Sequence, residues 1–267
     1  NTYLSFNMVV GNAMDSMLGV AFDVLDYALL SAPGASLKKA LLDAGVGKDI
    51  SGSYDNGVCQ PIFSVISKNA NVEQKEEFVR VIEDTLKDIV KNGINKKALR
   101  AGINYHEFRF READFGNYPR GLMYGLQLFD SWLYGGAPEA NLQIGDLFVN
   151  IREKMKQGYF EHLIREELLE NPHRCKVALI PSKTAGEARR AKEAKRIEDE
   201  SAMWSDKTRE EIIAKQERLE AWQNSEDTPE QLAALPHLEL SDLSCTPQEQ
   251  PIEELVIDGQ KVLVHRV

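Results

Sequence analysis

Leu4, Phe6, Met8 and Val10 alternate with Ser5, Asn7 and Val9, the period of a half-buried strand. Gly11-Asn12 breaks the alternation and the period changes. Met14, Met17, Leu18, Ala21, Val24, Leu25, Ala28 and Leu29 recur at helical spacing, which predicts a helix with one wide apolar face. After the Ala32-Pro33-Gly34 loop, Ser36 is placed to cap a short helix through Leu41 and Leu42. Two strands are expected near Ile50 to Tyr54 and Pro61 to Ser67, joined by a turn at Asp55-Asn56-Gly57. Val72 to Lys91 predicts a helix burying Phe78, Ile82, Leu86, Ile89 and Val90, ended by Asn92-Gly93.

Helical spacing continues. Leu99, Ile103, His106 and Phe110 line one face of the next helix; Leu122, Leu126, Phe129 and Trp132 do the same for the helix after Pro119. Further helical patterns cover Asn141 to Lys154 and Tyr159 to Leu169. Asn171-Pro172 stops the second, and His173 to Pro181 reads as a returning strand with Cys175, Val177 and Leu179 on one side. A small sheet with segregated helices defines an α+β fold, not a doubly wound sheet.

Composition changes after Pro181. Thr184 to Glu226 is charged, small or helix-favouring, with Ile197, Met203, Trp204, Ile212, Ile213, Leu219 and Trp222 as its large apolar residues. Ser205-Asp206 reads as a cap between two helices, which together predict an antiparallel helical hairpin. A shorter segment, Leu232 to Leu243, follows. Leu255-Val256-Ile257 and Val262-Leu263-Val264 then flank Asp258-Gly259, a strong two-residue hairpin signal. The expected organisation is an α+β domain over 1–182, a helical linker over 183–250 and the start of a following domain over 251–267. Asn1 enters a strand almost at once and Val267 closes a strand-like run, so both ends read as cut from a longer protein.

With 267 residues, 43% of them hydrophobic, the chain can bury one substantial core. A net charge of −10 argues against nucleic-acid binding and against a polybasic membrane anchor. No apolar run approaches the roughly 20 residues of a membrane span. Cys59, Cys175 and Cys245 lack framework spacing and fit free thiols, which with no secretion pattern points to the cytoplasm.

The densest pattern is Glu107 to Leu122, EFRFREADFGNYPRGL: a charged amphipathic helix, a Gly-containing turn, and a new helix opened by Pro119. Arg111-Glu112, Gly116, Pro119-Arg120-Gly121-Leu122 and, one helix on, Trp132 resemble the presequence-protease branch of the insulinase (pitrilysin-like) zinc metallopeptidases. The resemblance implies repeated α+β domains with an antiparallel-rich sheet covered by helices on one face. It also implies a helical hairpin joining two half-shells that enclose a chamber and cleave unfolded peptides. This chain would be the second domain of the first half plus that linker.

The inverted zincin motif H-x-x-E-H is absent from the sequence. His106, His162, His173, His237 and His265 lie at no spacing that chelates from one helical face. No catalytic and no metal-binding residue is therefore assigned to this chain, and it carries no cofactor of its own. The resemblance assigns zinc, its ligands and a glutamate base to the preceding domain. The partners so implied are the catalytic domain and C-terminal half of the same polypeptide, and an unfolded peptide substrate. The expected parts are chamber wall, substrate anchor and hinge of an endopeptidase; the alternative is an inactive structural or peptide-binding module or partner subunit.

Substrate anchoring falls on Ser51, Gly52, Ser53 and Tyr54. The layout is similar to that of insulin-degrading relatives, where a strand of this domain anchors the substrate's N-terminal end. Gly52 would permit close backbone approach and Tyr54 an amphipathic contact. Glu107 and Arg111 are placed for an i,i+4 ion pair, and Arg120 for positioning domains. His106 reads as a hydrogen-bonded interior histidine and His173 as a structural residue. Arg189, Arg190, Lys192, Lys195 and Arg196 are interleaved with acids and read as a solvated face. Gly45-Val46-Gly47-Lys48 lacks phosphate-loop spacing.

Overall fold

Alternation along the first strand sets the frame of the fold. In the computed structural model, which describes residues 1–236, 239–242 and 252–265, β1 (Thr2–Val9) sends Leu4, Phe6 and Met8 into the core. It pairs antiparallel with β3 (Ile62–Ala70) on one side and β4 (Arg174–Leu179) on the other. β2 (Asp49–Asp55) pairs with β3, so the sheet order is β2-β3-β1-β4 and β2 and β4 are its edges. Asn171 pins the entry to β4: its Nδ2 donates to Val9 O at 2.6 Å and its Oδ1 accepts from His173 N at 2.8 Å.

One sheet face is covered by helices: α1 (Ser16–Asp26), α2 (Ser36–Asp43), α3 (Lys75–Asn92), α4 (Lys96–Glu112), α6 (Gly145–Lys156) and α7 (Tyr159–Leu163). α1 and α7 each run on into π-helical turns, Tyr27–Ser31 and Ile164–Leu169. Phe22, Phe63, Phe78, Phe148 and Phe160 are fully buried where these helices meet the sheet. The run Ser16–Asp43 is long and apolar enough by composition to cross a bilayer, although charged residues interrupt it in sequence. Here it supplies core residues such as Phe22, Leu25 and Leu29.

Local details differ from the sequence reading. Ala35, not Ser36, is the N-cap of α2; Ser36 is its first helical residue. Pro119 likewise sits at the N-cap of α5 (Arg120–Trp132) with an extended ψ, so Arg120 opens the helix. The turn before it starts at Ala113, which takes a left-handed φ of 50° and closes α4, ahead of Gly116 at φ 61°.

Gly47 shows what the glycines before β2 do. Its φ is +78°, and an added Cβ would overlap Ser67 Oγ and stand 2.8 Å from the Lys68 carbonyl oxygen. Ser67, buried in the sheet, donates to Val46 O at 3.0 Å. Gly47→Ala is therefore expected to cost about 2–4 kcal/mol, from left-handed strain plus overpacking, read as a lower midpoint in urea unfolding.

The chain divides into two compact units, Asn1–Pro181 and Ser182–Val267. In the second, α8 (Ala185–Ser201) and α9 (Asp206–Gln223) meet at a short turn where Ser205 Oγ accepts from Thr208 N at 3.1 Å. Neither helix buries a residue, so Ile197, Ile213 and Trp222 remain exposed rather than forming a hairpin core. Thr228 and Gln231 form a capping box on α10 (Pro229–Ala233). β5 (Ile252–Ile257) and β6 (Gln260–His265) form the hairpin expected at Asp258-Gly259, both at positive φ. Leu238, Leu243 and Cys245 lie outside the described residues.

Candidate functional site

A strand sends successive side chains to opposite faces, and this splits the four residues proposed as a substrate anchor. Ser51 and Ser53 lie on the sheet face away from the helices; Gly52 and Tyr54 face the helices. Tyr54 stacks on Phe22 with ring centroids 5.3 Å apart. The absent Cβ of Gly52 makes room for α1: a Cβ there would overlap Asp26 Oδ1 and Leu30 Cδ1. Close approach at Gly52 is therefore helix-to-strand packing. It does not open the strand to a ligand.

The face bearing Ser51 and Ser53 is half-open across the whole sheet. Ser53 lies opposite Ser64, which is opposite Asn7, which is opposite Cys175. Ser64 Oγ donates to Asn7 Oδ1 at 2.8 Å, while Asn7 Nδ2 donates to Ser5 Oγ at 3.0 Å and to Cys175 O at 3.3 Å. Beside this polar row, Tyr3, Val177 and Leu179 are exposed. Among the described residues no strand pairs with the outer edge of β2. The result is an amphipathic wall ending in a row of backbone groups able to bond an added strand.

On the helical side, a polar cavity of about 220 Å³ lies between α1, the end of β2 and α5, lined by Asp15, Asp23, Tyr54, Gln127 and Asp130 among others. A second cavity of about 320 Å³ shares Val20, Asp23, Gln127 and Ile144, and adds His106, Arg109 and Met123. Burial, then Asp26, push the Asp23 carboxyl up to about 7, against a smaller opposing pull from Arg109. Burial, then Asp55, raise Asp130. Burial likewise raises Tyr54, with Asp23 adding to it, so its hydroxyl stays neutral. His106 is held down at about 4 by burial and by Arg109, although its hydrogen bond to the Asp23 backbone opposes this. None of these groups was singled out as a cleft from the sequence, because α1, β2, α4 and α5 meet only in the fold.

The motif residues frame this cleft more than they line it. Arg111 donates to Glu107 at 2.8 and 3.0 Å, the i,i+4 pair expected. The structure adds Arg152 of α6 on the other carboxylate oxygen at 2.5 Å, itself bonded to Asn104 at 2.8 Å. Burial opposes ionisation of Glu107, but Arg111 and Arg152 outweigh it and hold the carboxyl below its usual range. Glu112 ends α4 and Gly116 lies in the α4–α5 turn, beside Arg120, which has no ion-pair partner among the described residues.

Leu122 and Trp132 lie with Leu126 and Phe129 on the exposed side of α5, each at least 44% exposed. α5 instead turns Met123, Gln127 and Asp130 towards the domain, and only Ser131 is fully buried, bonded to Ala137 O. Helical periodicity identifies an apolar face but not what covers it. Among the described residues no group of three or more His, Cys, Asp or Glu could hold a metal ion.

Proteins of known description are similar to this chain. The family described as peptidase-associated, in subfamily C of the M16 peptidases, matches residues 179–267. Protein HypA of Clostridium perfringens is 42% identical over 99% of this chain and 27% of its own length. Presequence protease 1 (chloroplastic/mitochondrial) of Arabidopsis thaliana is 30% identical over 94% of this chain and 24% of its own. Among solved structures, a protein described as a zinc protease from Bordetella pertussis Tohama I superposes with a TM-score of 0.51. The match has 13% identity and covers 68% of this chain and 95% of that one. The inactive peptidase domain of a protein so described from Bordetella parapertussis gives 0.50 at 12% identity, over 68% and 91%. At such identities the structural likeness is one of fold.

The fold is that of an α+β peptidase-like domain. The chain belongs to the insulinase-like M16 peptidases and is a domain of presequence-protease type. It spans about a quarter of the length of the curated relatives it matches.

Proposed function

We propose that this chain is a non-catalytic part of a zinc endopeptidase that degrades unfolded peptides, serving as chamber wall, substrate anchor and inter-half hinge. The observation that carries the anchor is the outer edge of β2, unpaired among the described residues and flanked by Ser51 and Ser53 on the sheet face opposite α1. An extended peptide added there gains backbone hydrogen bonds that do not depend on its side-chain sequence, the requirement for degrading many sequences. Zinc and the general base belong in this reading to the preceding domain. The exposed stripe Leu122, Leu126, Phe129 and Trp132 on α5 gives the remaining domains of the longer polypeptide an apolar surface to cover.

The test is binding of a fluorescein-labelled, unstructured peptide of about 15 residues, followed by anisotropy. Ser53→Lys keeps the fold, since Ser53 is exposed, and sets a long charged side chain at the edge. Affinity is expected to fall about tenfold, equivalent to 1.4 kcal/mol. Equal binding by the variant would remove the anchor from β2. Tyr54→Ala is the poorer probe, because it also breaks the stack on Phe22.

A further inference from the structure

α5 is turned the wrong way for an ordinary amphipathic helix. Leu122, Leu126 and Trp132 face outwards, while Gln127 and Asp130 face the domain across the polar cavity from Asp23. Neither Asp23 nor Asp130 has a hydrogen-bond or ion-pair partner for its carboxylate among the described residues, and no lysine, arginine or histidine lines that cavity. Asp23 lies deep in the fold, with its remaining open surface on the cleft. A carboxyl so withdrawn takes up a proton unless a cation meets it and holds it ionised. Arg109 does not serve: its guanidinium bonds Asp114 O at 3.1 Å and lies over the Tyr105 ring at 5.7 Å.

A divalent metal is a poor fit, since no three ligating side chains converge among the described residues. The neighbouring cavity, which shares Val20, Asp23 and Ile144 and adds Met123, Phe110 and Phe148, offers an apolar flank leading to Asp23, with Arg109 and His106 also in its lining. A charged tip on an aliphatic stem matches both halves.

We propose that this cleft binds an organic cation, an ammonium or guanidinium carried on an aliphatic stem, with the charge between Asp23 and Asp130 and the stem along Val20, Met123 and Ile144. Lysine and arginine side chains and free alkyl amines share this chemistry. The site is distinct from the sheet face proposed for the peptide backbone, and its test does not involve Ser53.

The experiment is a calorimetric and amide-NMR titration of the chain with N-acetyl-lysine methylamide, N-acetyl-norleucine methylamide and 1,4-diaminobutane. The lysine derivative is expected to shift amides of α1 and α5 and to bind at least tenfold more tightly than the uncharged norleucine isostere. Asp23→Asn and Asp130→Asn should each weaken it at least tenfold with unchanged circular dichroism. Asp43→Asn, on the far end of α2, should leave it unaltered. Binding of the lysine derivative assigns the source to a peptide side chain; binding of the diamine alone assigns it to a free amine. Equal binding of norleucine, unchanged affinity in both variants, absence of shifts at the cleft, or displacement by magnesium would each overturn the proposal.

Discussion

Replacing Phe22 with alanine is expected to cost about 3–5 kcal/mol, the range for truncating a fully buried aromatic. Phe22 is the contact through which α1 holds the β2–β3 edge of the sheet. Its ring lies 5.3 Å from Tyr54 on β2 and 5.6 Å from Phe63 on β3. Gly52, two residues before Tyr54 on the same face, accepts the Asp26 side chain only because it has no Cβ. Removing the ring opens a cavity at this junction, so β2 should lose hydrogen-exchange protection before β1, which is paired on both sides. Urea unfolding with amide exchange checks both statements. A loss below about 1 kcal/mol, or loosening that begins at β1, would mean that β2 is held by other contacts.

The second large effect is a pH dependence set by Asp23 and His106. The Asp23 carboxyl titrates near 7 in the fold and at 3.8 in an unfolded chain. The native state therefore binds the extra proton. The associated stability is fully present below 3.8 and is lost as pH rises through about 7. At about 1.4 kcal/mol per pKa unit the loss is on the order of 4 kcal/mol. His106 works in the opposite sense, with a native value near 4 against 6.5. Its contribution is complete above 6.5 and disappears as pH falls through about 4.

The groups facing this pair are Asp15 and Asp26 on α1, Tyr54 and Asp55 at β2, Arg109 on α4, Asp114 in the following turn and Asp130 on α5. In the native sequence the two slopes partly cancel between pH 4 and 6.5. Asp23→Asn removes one of them. The variant should gain stability over the parent by about 3 kcal/mol more at pH 8 than at pH 4, and its own stability should rise with pH across the histidine window. Thermal unfolding across this range measures the difference; parallel curves would place the titration elsewhere.

Motifs and elements were legible where their cause is local. The alternation of Leu4, Phe6 and Met8, the Asn92-Gly93 stop, the Ser205 cap and the Asp258-Gly259 turn each depend on neighbours within a few residues. The Glu107–Arg111 pair follows from helical geometry for the same reason. Arg152, which completes that pair, is 45 positions from Glu107 and carries no local signal. The Ser36 cap and the Pro119 start missed by one residue, because cap identity depends on backbone angles that composition does not fix.

The division between sequence and tertiary structure follows from range. By itself the sequence determined an α+β chain with a small sheet, a charged helical second unit, no local zinc motif, and a resemblance carried by Arg111 to Leu122. Only the tertiary structure decided that β2 is an edge, that Ser51 and Ser53 part from Gly52 and Tyr54, and that α5 faces its apolar side outwards. Periodicity says that one face of an element differs from the other. Which face meets the core depends on every other element packed there, and the cleft around Asp23 exists only where four of them converge.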